Sequence, residues 1–495
     1  MANDAGCALP KNGKQKRPTA LPRLTSSSRL SSGLLLLCVA AAGQSEQEPK
    51  ELLLRVRENV MSTIQRLPKY VCTQTVDRTR YEPANPEYGT NGKVRRRSCD
   101  DTVAEAHRGS FRRTLSSADR LRLDVAVSHE VAGMENEMYS WAGENRFSNR
   151  DLFEFVRDGA VSTGSFTSML TSIFGNSSAR FTYDGDSTRG GRLLAEFGFR
   201  IPREKSQYLY VYGTSQRQQV AMAYDGTALA DPETSDLVRL RIRTEQPPAE
   251  TGVCELNQDL EYARVRMNGG DFLLPSEAQV VVVHSDGTEA HNRIAYSACH
   301  EFHGDSTVRY EAAIEAEGPA PERAAAAVTF SLPAGLPFKV TFTDRVDTAV
   351  AAAGDPIRGR LKAAIRDRND KVLVAEGSPV AGRIVGVNRY YGPSSTPVSE
   401  WRKTSTRAPT LVIHVRLETV EIGGTLQPLK ATFDSGVKRF VKQTSPFSVK
   451  VDIGSLDELH DRSNETDEGM FEFWEADPGH VVKTGLESNW LTAAR

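Results

Sequence analysis

Leu237-Val-Arg-Leu-Arg-Ile-Arg-Thr244 alternates without a break: Val238, Leu240 and Ile242 fall on one face of an extended chain, and Arg239, Arg241 and Arg243 on the other. Period two with one apolar side is a strand with one buried face and one wet face. Upstream, Gln219 to Tyr224 puts Val220, Met222 and Tyr224 on one side, and Asp225-Gly226 and Asp231-Pro232 are expected to turn the chain. Downstream, Asn268-Gly269-Gly270 and Ser285-Asp286-Gly287 are expected to close two hairpins around the run Val280 to Val283. The whole of Gln219 to Tyr296 reads as one antiparallel meander. A parallel sheet would interleave its strands with crossover helices, and none is written here.

Before the meander, Leu52, Leu53, Val56, Val60, Ile64 and Leu67 recur at helical spacing within Pro49 to Leu67, which predicts a helix packed on the sheet. Lys69 to Arg78 is the first expected strand. A polar loop, Pro83 to Gly92, and the basic Arg95-Arg96-Arg97 follow it. Leu121, Leu123 and Val125 mark a second strand over Asp119 to Val127, and Glu137 to Phe147 marks a third. The period then changes. Leu152, Phe153, Phe155 and Val156, then Phe166, Met169, Leu170, Ile173 and Phe174, predict one or two amphipathic helices ended by Gly175-Asn176. Strands resume at Arg180 to Tyr183, Leu193 to Ile201 and Gln207 to Tyr212 and lead into the meander.

Composition sets the organisation. The basic residues Lys11 to Arg29, followed by the apolar run Gly33 to Ala42, make residues 1–43 a secretory signal pattern. The run is short of the ~20 residues a membrane span needs. Beyond it, residues 44–316 form the first expected domain and the Ala/Pro-rich 317–337 a linker. Residues 338–495 form a second, smaller all-β, barrel-like domain with short strands at Phe338 to Phe342, Ile357 to Ile365, Val380 to Val387 and Leu411 to Val420. A Pro/Ser-rich excursion, Gly392 to Thr406, and an acidic stretch, Asp457 to Glu468, interrupt it. Without residues 1–43 the chain carries 56 Lys+Arg against 63 Asp+Glu, a net charge of −7, which argues against nucleic acid as a partner. Four cysteines remain, Cys72, Cys99, Cys254 and Cys299, an even number in an exported chain and therefore expected disulfides. Three connectivities are open. Pairing Cys72 with Cys99 and Cys254 with Cys299 is the one favoured by proximity in sequence.

Catalytic constellations are scarce. Phe433-Asp434-Ser435-Gly436 has the hydrophobic-Asp-Ser-Gly form of an aspartic-protease turn, a chemistry that needs two carboxylates sharing a proton, and only one copy is present. An aspartic-type protease through Asp434 is the remote enzymatic alternative. His300 and His303 beside Cys299 lie three apart, on opposite sides of an extended segment, and are not expected to hold a metal. Ser162, Ser187 and Ser215 lack a nucleophile-elbow frame, and no glycine-rich phosphate loop occurs. The expectation is a protein that is not an enzyme, with no cofactor. Trp141, Phe153, Phe155, Phe166, Met169, Phe174, Phe181, Phe197 and Phe199 could line a cavity for an acyl chain or fill an ordinary core.

The order of helix, three strands, helices and a long meander resembles the periplasmic lipoprotein carriers and outer-membrane lipoprotein-sorting proteins over about residues 50–315. The residues that carry the likeness are the Leu52 to Leu67 helix, Leu121-Arg-Leu-Asp-Val125 followed by Tyr139-Ser-Trp141, and Tyr224-Asp-Gly226 followed by Asp231 to Leu240. The resemblance implies an α+β, mostly antiparallel fold: an open, incomplete β-barrel covered by helices that holds lipid chains. Gly354 to Leu361 and Glu376 to Ile384 faintly resemble the β-barrel module of conjugation-channel outer-membrane subunits, which implies protein contact by the second domain. The disulfides and the added domain depart from the carriers. The expected function is a non-enzymatic exported envelope protein, periplasmic or secreted and associated with the outer membrane, that binds a lipid or lipoprotein. A structural scaffold with no ligand is the alternative.

Overall fold

The computed structural model describes residues 34–83, 97–108, 113–129, 135–144, 147, 152–156, 159–161, 166–213, 217–267, 269–302, 331–391, 409–434, 438–441, 468–474 and 479–493. The chain divides into two units, Met1–Glu51 and Leu52–Arg495. The contacts described below belong to the second. No described helix is long and apolar enough to cross a membrane. The linker 317–330, the Gly392 to Thr406 excursion, the Pro83-to-Gly92 loop beyond Pro83, Arg95 and Arg96, Ser162, Ser215, His303 and most of the acidic stretch lie outside the described residues.

In chain order the first elements are α1 (Leu34–Arg66), β1 (Tyr70–Pro83), α2 (Cys99–Arg108), β2 (Arg113–His129), β3 (Glu135–Trp141), α3 (Leu152–Phe155) and α4 (Ser168–Phe174). The meander follows as β4 (Arg180–Arg189), β5 (Arg192–Ile201), β6 (Leu209–Tyr212), β7 (Gln218–Ala221), β8 (Ala223–Ala230), β9 (Leu237–Glu245), β10 (Val253–Met267), β11 (Gly270–His284) and β12 (Glu289–Glu301). Next come β13 (Pro337–Phe342), β14 (Val346–Asp347), β15 (Pro356–Leu361), β16 (Ile365–Arg366), β17 (Val372–Val374), β18 (Pro379–Tyr390) and β19 (Thr410–Ile422). The chain closes with β20 (Thr425–Pro428), β21 (Ala431–Phe433), β22 (Lys438–Val441), β23 (Glu468–Trp474), β24 (Val481–Val482) and β25 (Glu487–Thr492).

Hydrogen bonding carries an unbroken antiparallel run in the order β4, β5, β8, β9, β10, β11, β12, β1, β2, β3. The meander read from the sequence is therefore present. In β9, Leu240 and Ile242 are buried while Arg241 and Arg243 are exposed. Val238 is the extra residue at a bulge, because Leu229 faces Arg239 and Ala230 faces Leu237. One expected turn is absent: β8 runs straight through Asp225-Gly226. Gly226 is needed there because a Cβ would stand 2.0 Å from the Arg241 carbonyl oxygen and 2.6 Å from the Phe199 ring. The Asp231 turn is real, closed by the Asp231 N–H to the Asp236 carbonyl at 2.9 Å and the Ser235 N–H to the Asp231 carbonyl at 2.8 Å.

The helix-covered open barrel followed by a separate all-β barrel is not what the structure shows. A single 19-stranded sheet, almost wholly antiparallel, passes through both regions, and no closed barrel forms among the described residues. The reason lies in the edge of β2. Its C-terminal stretch from Leu123 pairs with β3, while Ser117 to Asp119 pair with Asn388 to Tyr390 of β18. Between them the Arg122 N–H donates to the Ala353 carbonyl at 2.7 Å and the Ala353 N–H to the Arg120 carbonyl at 2.9 Å. No separate barrel can form where the hydrogen-bond ladder passes from one region into the next. From β18 the sheet continues through β15, β13, β25 and β21, and through β19, β23 and β22.

Two apolar clusters fill the structure. The first gathers the inward residues of β1 to β12 with α1, α3, α4 and Ala353. The second gathers β13 to β25 around Trp490, Phe471 and Phe342. Each buried aliphatic or aromatic side chain stabilises the fold by about 1.5–3 kcal/mol.

Candidate functional site

The candidate site is the inward face of the long antiparallel run. Alternation aims every second side chain of each strand inward, and α1, α3 and α4 lie against that face because their own apolar residues have no other cover. Trp141, Phe155, Phe166, Met169, Phe174, Phe197 and Phe199 are all buried in the first cluster. Phe153 is half-buried, with the Arg217 guanidinium 4.2 Å from its ring centre.

These rings gather in groups. Trp141 meets Phe155 edge-on at 5.0 Å. Phe166 is held between Tyr70 at 5.8 Å and Tyr296 at 5.0 Å. Phe174 stacks on Phe181 at 5.7 Å, Phe181 reaches Phe199 at 5.9 Å, and Phe199 meets Tyr224 and through it Tyr208. Phe197 contacts Tyr183 on β4. Tyr70, Tyr208, Tyr224 and Tyr296 belong to this wall although the sequence reading did not count them. Their signal was available, since Tyr70 and Tyr224 occupy inward positions of alternating strands and tyrosine recurs at 208, 210 and 212.

Polar groups on the inward face are few and mostly paired. The Ser172 and Tyr224 hydroxyls lie 3.0 Å apart, and the Tyr208 hydroxyl donates to Gln258 at 3.4 Å. Burial pushes the Tyr208, Tyr210 and Tyr224 hydroxyls upward from the ordinary tyrosine value, so all three stay protonated. At one end of the face Arg78 grips Asp119 with two bonds of 2.7 Å, and Asn292 donates to the Ala160 carbonyl at 2.7 Å. The α4 segment is tied to α1 by the Arg57 guanidinium, which donates to the Phe174 carbonyl at 3.0 Å.

Cys72, Cys99, Cys254 and Cys299 are all in disulfides, but not in the pairs favoured from the sequence. Cys72 is bonded to Cys299, 227 residues away, and Cys99 to Cys254, 155 residues away. β1 lies beside β12, and a bulge that sets Val71 against His300 and Thr73 against Ser297 leaves Cys72 facing Cys299. Cys99 opens α2, whose first turn is capped by the Ser98 hydroxyl accepting from the Asp101 N–H at 3.2 Å, and α2 lies on β10 over Cys254.

The other candidates do not assemble. Asp434 is exposed at the end of β21, with its backbone N–H donating to the Asn489 carbonyl at 3.1 Å. The His300 ring nitrogen lies 2.8 Å from the Ala298 carbonyl, and no group of metal-ligating side chains occurs among the described residues.

No family model matches this chain, and no curated protein matches it. Two solved structures are similar to it. One is an outer membrane lipoprotein-sorting protein domain from Vibrio parahaemolyticus, 9% identical with a TM-score of 0.24, over 53% of this chain and 93% of that one. The other is a DUF1329 family protein from Desulfovibrio piger, 9% identical with a TM-score of 0.25, over 52% of this chain and 94% of that one.

Proposed function

We propose that this chain is an exported, non-enzymatic envelope protein that takes up an acyl chain, from a lipid or a lipoprotein, against the aromatic wall of its first apolar cluster. The observation that supports the reading is the nature of what covers Trp141 and Tyr224, which Phe155 of α3 and Ser172 of α4 meet. The α3 and α4 helices are four and seven residues long. Helices that short have no stability of their own and stay in place only through packing. A ligand with apolar surface can replace that packing at small cost. The two disulfides fit an oxidising compartment outside the cytoplasm. Residues 1–43 act as the export signal in this reading, and 338–495 as a second domain joined by 317–337 that meets a protein partner.

A second reading, a scaffold without ligand, draws on the edge-on and stacked ring contacts, which already satisfy the wall with its own residues. One experiment separates them. The exported chain is purified, its organic extract is analysed by mass spectrometry, and the stripped protein is titrated with a fluorescent fatty acid. Acyl species in the extract and saturable binding weakened by Phe166→Asp are the expected result. An empty extract together with no fatty-acid binding leaves the scaffold.

A further inference from the structure

The β6–β7 ribbon is a two-stranded sheet of its own, outside the 19-stranded one. Its register places Leu209, Val211, Gln219 and Ala221 on one face and Tyr210, Tyr212, Gln218 and Val220 on the other. The tyrosine face is accounted for, because Tyr208 and Tyr210 pack on the first apolar cluster. The opposite face is not. Leu209 is 53% exposed and Val211 37%, and three of the four positions there are apolar. An antiparallel ribbon with one face on a core ordinarily turns polar residues outward.

The ends of the ribbon are basic. Arg203 and Lys205 stand exposed before β6, and Arg217 is exposed where β7 begins, against the single acid Glu204. This local excess of positive charge sits on a chain whose net charge is negative. Aliphatic side chains between cations, with tyrosines beneath, match the interfacial layer of an anionic bilayer. The aliphatic groups enter the acyl boundary and the cations meet lipid phosphates, while the tyrosines hold the ribbon to the protein.

We infer that the outer face of the β6–β7 ribbon docks this protein on an anionic phospholipid surface. The inference does not require the acyl site, since Leu209 and Val211 point away from the wall formed by Phe166 and Phe174. Its test is co-flotation of the full-length exported chain with vesicles of phosphatidylglycerol and phosphatidylcholine in equal parts, and with phosphatidylcholine alone. The chain is expected to float with the anionic vesicles, to lose at least about tenfold in bound fraction as Leu209→Asp/Val211→Asp, and to detach at about 0.5 M salt. Circular dichroism and fatty-acid titration of that double variant are expected to match the parent, which keeps failure here distinct from failure of the acyl reading. Parent chain that stays in the buffer with anionic vesicles overturns the inference. A parent that sediments as a dimer, with the variant monomeric and neither form on vesicles, overturns it in favour of a second copy of the chain.

Discussion

The two apolar clusters solve the same problem by different means. In the first, β10 and β11 are each 15 residues long, and the sheet buries its inward face under helices. In the second, β13, β15 and β25 are six residues each, and strands pack on one another around Trp490. All described helices and both disulfides precede β13. The long strands closed by helices carry covalent ties, and the self-packed cluster has none among its described residues. The difference teaches that the first region is closed by helices and cross-links, and the second, the base, by its own strands.

Removing the ties is the strongest way to break this contrast. Cys72→Ala/Cys299→Ala, with a loop separation of 227, is expected to destabilise the first region by about 4–5 kcal/mol on chain-entropy grounds. Cys99→Ala/Cys254→Ala should come close to it. Urea unfolding followed by hydrogen exchange is expected to show β1 and β12 losing protection first while β18 and β19 keep theirs. Equal loss in both regions would mean that the base depends on the staples as well.

The joint between the regions comes next in size. Gly354 has φ +110, and a Cβ there would stand 2.1 Å from the Arg122 carbonyl oxygen and 3.2 Å from the Trp141 ring. Around it the Arg383 guanidinium donates to the Gly354 carbonyl at 2.6 Å and the Ala142 carbonyl at 3.1 Å, and Arg122 pairs with Asp355. Gly354→Ala is expected to cost about 3 kcal/mol, through overpacking and a backbone conformation that alanine resists. A protease site placed in 317–330 sharpens the same point. After cleavage the fragments are expected to co-elute, held by the β2–β18 pairing, and fragments that separate would show the joint to be weak.

This joint explains what the sequence could and could not reveal. The alternation from Leu237 to Thr244 is local, and local pattern is enough to define a strand and its wet face. Asp225-Gly226 is also local but ambiguous: a glycine that lets Phe199 and the Arg241 backbone approach looks the same, in sequence, as one that makes a turn. The hand-over of the β2 edge from β3 to Ala353 and β18 depends on residues more than 200 positions apart, and no periodicity reports it. Cysteine pairing fails for the same reason, since sequence nearness ranked Cys72 with Cys99 while the β1–β12 ladder ranks it with Cys299. The aromatic wall was half legible: Phe166, Phe174 and Phe199 stood out by type, whereas Tyr296 needed the register that brings β1 against β12.

Acid tests the first region at a third point. Glu289 is buried, and it accepts from His291 at 2.7 Å and from Arg113. Burial by itself would raise its pKa, but the bonds from His291 and Arg113 outweigh that and hold it below the ordinary glutamate value. A lowered folded-state pKa adds stability above the unfolded value and loses it as pH falls through the folded one. Glu289→Gln is expected to cost about 1.5–2 kcal/mol at pH 7, and the gap to the parent should close in urea titrations repeated well below the usual glutamate range. A gap that persists in acid would assign the loss to packing instead of charge.

The smallest expected effects separate the wet faces of the two regions. In the first, Arg239 pairs with Asp259, Arg241 approaches the same carboxylate at 3.6 Å, and Arg243 pairs with Asp225, a ladder across β8, β9 and β10. In the second, Lys339 and Lys362 share Glu487. Arg239 keeps only 17% of its side chain exposed, whereas Lys362 keeps 50% and Lys339 40%. Exposed pairs on flexible lysines gain little over water, while planar guanidinium groups fixed across a sheet lose less freedom on pairing. Asp259→Asn is therefore expected to cost about 0.5–1 kcal/mol at low salt, shrinking at about 0.5 M as screening takes over. Glu487→Gln is expected to leave the unfolding midpoint unchanged at either salt concentration. If the two substitutions behaved alike, the arginine ladder would be surface decoration, and the first region would rest on its disulfides and apolar wall alone.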